Sequence, residues 1–314
     1  MWKLLVLILL FIGCNNPQKK TKAVSSAKRF SDTLEMKIDE NHLFVPVVLN
    51  DTIKANFILD NMSYGTLSLD STFLVEKRLM RIDTTLKDIR KKRINYINQL
   101  NIVHDRPIKF NSSTIQDTSR QNDIFDLKRI VGNKAQGLIG MPFLKKYLIE
   151  IDYMNNKIIL HQPKFHKHKE LLDTISIIPQ DKQRMAFKVN ITFNPSGGLP
   201  PFKENCFIDL GAGGNAISLS TRIVLKHKLL DIKTLSPRPS TGKVFSKEIV
   251  TGFTTKFKSI QLGKFRIDSP IINLNTSQKG MSATMPPMLG SYLFKRFGRI
   301  FIDFRNNAIY IPKK

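Results

Sequence analysis

The chain has 314 residues, long enough for two domains that each bury a core of their own. It carries 50 Lys and Arg against 25 Asp and Glu, a formal net charge of +25. No aromatic-interleaved basic motif or recognisable nucleic-acid reader accompanies that excess, so nucleic acid is not an expected partner and the charge reads as a solvated basic surface near an anionic envelope.

Residues 1–13 hold one early lysine, Lys3, and then an apolar run from Leu4 to Ile12. That run is shorter than the roughly 20 apolar residues a bilayer span needs, so it reads as a signal-peptide core. Phe11-Ile12-Gly13-Cys14 resembles a bacterial lipoprotein cleavage box. The resemblance implies lipidation at Cys14 and a place in the bacterial cell envelope, with the periplasmic side of the outer membrane favoured. Residues 14–32 are polar and lysine-rich and read as a flexible tether. Once Cys14 is lipidated only Cys206 remains, so no intramolecular disulfide can form. Cys206 lies in an apolar run and is expected as a small buried residue.

A first lobe is expected over 33–163. Leu43 to Leu49 and Ile53 to Leu59 read as strands joined by the turn-like Asn50-Asp51-Thr52, hence a hairpin that ends at Asp60. Ser71 to Arg81 reads as a short helix. The polar stretch from Asp83 to Asp126 is expected to hold the middle strands and a flap-like hairpin around Ile94 to Ile102. Gly132-Asn133 marks a turn.

Residues 164–171 form a basic connector. His166 and His168 lie there, with His161 just before it, but no cysteine or carboxylate completes a metal-binding spacing, so neither a metal nor a cofactor is expected. A second lobe is expected over 172–314. Phe187 to Phe193 alternates apolar with polar, the mark of a half-buried strand. Asn194 to Pro201 is a long turn. Ser220 to Leu230 reads as a helix, Val244 to Gly252 as a flap or mid-lobe hairpin, and Phe253 to Ile260 and Phe265 to Ile272 as strands.

The two lobes repeat each other. Phe207-Ile208-Asp209-Leu210-Gly211-Ala212 brings an apolar strand to an acid on a glycine-rich turn, and Phe57-Ile58-Leu59-Asp60-Asn61-Met62 is a weaker copy. Leu138-Ile139-Gly140 returns as Met288-Leu289-Gly290, and Ile151-Asp152 returns as Ile302-Asp303. The three offsets are 149, 150 and 151 residues. Three landmarks in one order at one spacing argue for duplication. Asp152 and Asp303 each precede an Asn-Asn turn and read as turn acceptors.

These residues resemble the pepsin/retropepsin-like aspartic proteases, in which an apolar strand delivers Asp-Thr/Ser-Gly and an apolar-apolar-Gly strand crosses beneath that loop. The resemblance covers nearly the whole chain after the tether. It implies an all-β fold of two pseudo-symmetric β-barrel lobes with a few short helices. It also implies an inter-lobe cleft that takes a peptide or protein substrate, with Asp60 and Asp209 as a catalytic pair, and the repeat, which supplies both lobes in one chain, makes a monomer the expectation. Asn61, Met62, Leu210, Gly211 and Ala212 would then support the active-site loops, and Gly140 and Gly290 would sit on the crossing strands. The implied enzyme is an aspartic endopeptidase whose water is activated between the two acids.

Three positions depart from the pattern. Asn61 and Leu210 replace the Thr or Ser whose hydroxyl bonds across to the other loop, and Met62 replaces a glycine. Lobe one's loop is therefore expected to be the damaged half, which keeps a second reading open: a catalytically degenerate member that holds a peptide or protein. A remote third rests on Asp209 to Gly214, which also resembles the first motif of class I methyltransferases. Gly211 to Ala216 fits the dinucleotide template G-x-G-x-x-A. That reading requires a following helix within a βαβ unit.

Overall fold

The computed structural model describes residues 31–50, 52–82, 93–95, 99–103, 106–109, 124–125, 127–162, 172–181, 186–214, 217–231, 238–243 and 249–313. The expected signal peptide, Cys14, most of the tether, the connector 164–171, His166, His168 and the pair Asn215-Ala216 lie outside them. The fold is all-β with a few short helices. Among the described residues the strands form sheets of six, eight, ten and two.

Lobe one is built on the hairpin His42–Leu49 and Ile53–Asp60, with Phe44 opposite Ile58 and Leu49 opposite Ile53. The turn works because Asn50 accepts a positive φ of 47°. Gly137–Gly140 runs parallel to the end of the second strand and pairs Gly140 with Asp60. Leu67–Asp70 then flanks the crossing strand on its other side. Lobe two repeats each step. Phe187–Asn194 pairs with Phe202–Asp209, Met288–Gly290 runs parallel beside Asp209, and Ile217–Leu219 flanks it. Phe57, Ile58, Leu59, Leu138 and Ile139 are all buried, on both faces of their strands. Strands buried on both faces read as continuous apolar runs rather than alternation, which is the pattern at these two places.

The lobes share a sheet. Its order runs Ser31–Glu35, Lys157–His161, Leu148–Asp152, Arg299–Asp303, Ala308–Pro312, Leu172–Ser176. The central pair is antiparallel, with Ile149 opposite Ile302, Glu150 opposite Phe301 and Ile151 opposite Ile300. Under the 151-residue offset Glu150 and Phe301 are each other's copies, so the pseudo-two-fold axis passes through their pair. The first strand begins at Ser31, so the last two residues assigned to the tether are in the sheet. Asp152 and Asp303 are turn acceptors as expected: each takes the backbone N–H groups two and three residues on, at 3.0–3.1 Å.

Several boundaries differ from the sequence reading. The first helix is Ser71–Glu76 only; Arg78 turns left-handed at φ 55° and Met80–Ile82 is already a strand. The helix expected over 220–230 is Thr221–Lys226, ended by Lys228 at φ 53°. The two strands expected over 253–260 and 265–272 are four, Ile249–Lys256, Ser259–Leu262, Phe265–Asp268 and Ile271–Asn275, with Ser269-Pro270 interrupting the ladder between the last two. The stretch around Ile94 to Ile102 is not one hairpin. Arg93–Asn95 pairs with Met80–Ile82, whereas Gln99–Val103 pairs with Arg106–Lys109. The lobe-two hairpin is Arg238–Lys243 with Ile249–Lys256, and its tip lies outside the described residues.

Gly140 shows how tightly the crossing strand fits. A Cβ there would fall on the Gly65 carbonyl and stand 2.7 Å from that of Ser63. Backbone cannot yield as a flexible side chain can, so Gly140→Ala forces the 61–66 loop outward. Thermal melts should show a loss of about 3 kcal/mol or more, at the high end for one added methyl group.

Candidate active site

Asp60 and Asp209 each end a buried strand, and the two loops that follow meet across the lobes. Gly211 lies between the acids. Its N–H donates to Asp209 Oδ1 at 2.9 Å, and a Cβ on it would stand 2.7 Å from Asp60 Cγ. Glycine is required because nothing larger fits against the opposing carboxyl.

Each loop holds its acid in the same way. Met62 N–H donates to Asp60 Oδ1 at 2.8 Å. Gly211 and Ala212 N–H groups donate to Asp209 Oδ1 at 2.9 and 3.0 Å. Met62 therefore fills the glycine's role through its backbone, and its half-buried side chain does not displace that N–H.

Asn61 ties the two loops together although it departs from the expected hydroxyl. Its side chain is fully buried and bonds twice across the lobe interface. Nδ2 donates to the Ile208 carbonyl at 2.7 Å, and Oδ1 accepts the Leu210 N–H at 2.7 Å. One carboxamide donates and accepts at once, as a hydroxyl could, and here it brackets Asp209 from both sides. Leu210 makes no polar contact with its side chain; it is fully buried in the main core. The cross-loop tie thus runs from lobe one alone.

Burial pushes the Asp60 carboxyl above the usual carboxylate range, opposed by the Met62 and Ser63 backbone N–H groups. Burial pushes Asp209 up as well, and the Asp60 charge adds to it. Two acids flanking one glycine in a desolvated site cannot both ionise cheaply.

The remaining candidates are placed plainly. Gly290 pairs with Asp209 as Gly140 pairs with Asp60. Cys206 is buried, its thiol pushed far up by burial, so it is structural. His161 contacts Glu150 at 2.7 Å on the shared sheet. Among the described residues no group of His, Cys, Asp and Glu is placed to hold a metal ion. The nucleotide reading fails at its helix. The strand Ile217–Leu219 follows the 209–214 loop, and the helix beyond it is six residues long. Two contacts were not foreseen from sequence: the partners of Asn61, which was expected only as loop support, and a contact from His42, for which the sequence carries no local signal.

No protein-family model matches the sequence, and no curated protein matches it. Among solved structures the chain is similar to a retropepsin-like aspartic protease from Rickettsia conorii, at 18% identity and TM-score 0.30, over 44% of this chain and 98% of that one. It is also similar to basic 7S globulin from soybean, at 8% identity and TM-score 0.47, over 90% and 96% of the two chains. Aspartic proteinase from Irpex lacteus gives 8% identity and TM-score 0.46, over 90% and 97%. These are likenesses of fold alone.

Proposed function

We propose that the chain is an aspartic endopeptidase whose Asp60 and Asp209 hydrolyse a peptide bond in the inter-lobe cleft. The observation that carries this reading is the meeting of the two loops. Gly211 contacts both acids, and Asn61 locks the Asp209 loop to the Asp60 loop at two points.

A pair that holds one proton has what the reaction needs. The ionised acid takes a proton from a water as the water oxygen attacks the peptide carbonyl carbon. The protonated acid gives its proton to the carbonyl oxygen. The tetrahedral species then collapses. The C–N bond breaks as the nitrogen takes a proton from one acid and the other acid takes a hydroxyl proton from the tetrahedral carbon, so that a carboxylic acid and an amine leave and the pair again holds one proton.

The test is cleavage of a mixed peptide library by the full chain from acid to neutral pH. Cleavage that disappears in both Asp60→Asn and Asp209→Asn supports the proposal. Cleavage that survives either change overturns it, as does a folded chain that cuts nothing. The second reading, a peptide- or protein-binding module, is favoured by Leu210, which leaves the inter-lobe tie one-sided. A folded chain that retains library peptides without cutting them decides for it.

We also place the protein as a monomer on a lipid anchor at Cys14, in the bacterial envelope. Cys14→Ser is expected to move it from the membrane fraction to the soluble fraction. Protein that stays membrane-bound after that change, or that carries no lipid by mass spectrometry, overturns the anchor.

A further inference from the structure

His42 opens the strand His42–Leu49 of lobe one, yet its ring lies against the Asp209 loop of lobe two. Its Nδ1 is 2.9 Å from the Gly211 carbonyl oxygen. A carbonyl oxygen only accepts, so Nδ1 carries the proton, and Nε2 of the neutral ring does not. The neighbouring turn adds to the grip. Gly214 N–H donates to the Glu40 carbonyl at 2.9 Å, and Asn41 Nδ2 donates to the Gly214 carbonyl. Gly213 has no side chain where the ring sits, and a Cβ there would fall on the imidazole. The 211–214 loop is thus clamped to residues 40–42 of the other lobe.

The bonded carbonyl belongs to an informative peptide unit. The Gly211 C=O and the Ala212 N–H share one rigid plane. The oxygen takes the His42 proton, and the N–H donates to Asp209 Oδ1 at 3.0 Å. A hydrogen bond to one end of a peptide orients and polarises the other end. The repeat places Ala186 in lobe two where His42 stands in lobe one, since Phe44 pairs with Ile58 and Lys188 pairs with Phe207. An alanine offers neither ring nor donor, so the lobe-two strand gives the Asp60 loop no such side-chain contact.

We propose that His42 is a positioning residue. By donating from Nδ1 to the Gly211 carbonyl across the lobe interface, it aims the Ala212 N–H at Asp209 and so sets how the acid pair ionises. The proposal rests on Asp60 and Asp209 being the working pair, but its readout needs no catalysis. Burial holds His42 below the usual histidine range, with Lys134 acting in the same direction and the Gly211 carbonyl, Glu40 and Asp39 opposing. Lys134 itself pairs with Asp39 and Glu40. The neutral, Nδ1-protonated ring is therefore the form that holds the loop at neutral pH.

The experiment is a carboxyl 13C titration of Asp60 and Asp209 in the full chain in detergent micelles, assigned with the asparagine variants and run beside two substitutions. His42→Phe keeps a ring but has no donor. His42→Asn keeps an N–H near the position of Nδ1. An N–H bond to the carboxylate favours its charged form, so His42→Phe should move the Asp209 midpoint upward, by about threefold to tenfold in ionisation constant. His42→Asn should stay within about twofold of wild type. Where cleavage is measurable, the acid limb of kcat should move the same way with KM little changed. A folded His42→Phe with the wild-type Asp209 midpoint overturns the proposal, as does His42→Asn moving as far as His42→Phe. If His42→Phe does not fold, 15N shifts of the wild-type ring decide: a neutral ring protonated at Nε2 overturns it. A displaced midpoint in a chain that cuts nothing leaves this proposal standing and removes the hydrolytic one.

Discussion

Asp209→Asn is expected to abolish cleavage and, at neutral pH, to raise the melting temperature. Loss of rate follows from the chemistry: an asparagine can neither take the water's proton nor give one to the carbonyl oxygen, and a positioned acid or base is worth about 10²–10⁴-fold. The gain in stability follows from the raised carboxyl. Its folded ionisation lies above the unfolded value of 3.8. Below about pH 4 both states are protonated and the buried carboxyl carries no ionisation penalty. As pH rises toward the raised folded value, the unfolded chain ionises freely while the buried acid resists. The penalty is about 1.4 kcal/mol for each tenfold by which burial weakens the acid. Stability is therefore lost toward neutral pH, and the neutral amide escapes that loss. A gain of about 3 °C or more at pH 7, fading toward pH 4, is the expected melt. The Met62 and Gly211 backbone N–H groups keep an acceptor in either variant, because an asparagine Oδ1 can replace a carboxylate Oδ1. Asp60→Asn should behave alike, since burial raises Asp60 in the same direction. An asparagine variant that melts lower at pH 7 than at pH 4 relative to wild type would show that neither acid is held above its ordinary range.

Asn61→Ala should be the most damaging change at a residue that touches no substrate. It removes the donor to Ile208 and the acceptor of Leu210 N–H together. Both backbone groups are buried at the lobe interface, and each orphaned group costs about 1–3 kcal/mol. The expected loss is about 2–5 kcal/mol, read as a drop in melting temperature on the order of 10 °C. Activity should fall further than stability. The tie holds the strand before Asp209 and the peptide after it, and a displacement of about 1 Å at a reacting group costs about 10²-fold in rate. Asn61→Ser, whose hydroxyl can both donate and accept, should recover part of each loss. Equal melts for wild type and Asn61→Ala would mean the tie does not hold in solution.

The duplication was legible because it is written in one-dimensional spacing. Two apolar strands reach an acid, two apolar-apolar-Gly strands cross, and two Asp-x-x-Asn-Asn turns close their hairpins, each at nearly the same offset. The continuous apolar runs marked strands buried on both faces, and the Asn-rich turns announced their positive φ. Helix ends and the middle strands were poorly legible. Arg78 and Lys228 end their helices in left-handed geometry that residues of their type rarely adopt, so composition gave no warning.

The sequence by itself determined the repeat and the pairing of Asp60 with Asp209 as matching positions, because spacing is a one-dimensional property, and the resemblance those landmarks carry implied the all-β class. Only the tertiary structure decided how the loops are held. Asn61 read only as a departure from the expected hydroxyl, and its carboxamide bonds Ile208 and Leu210 at sequence separations of 147 and 149. His42 had no meaning until its ring met Gly211, 169 residues away. A hydrogen bond between distant segments leaves no periodicity in either one; it exists only when folding brings a donor and an acceptor within about 3 Å.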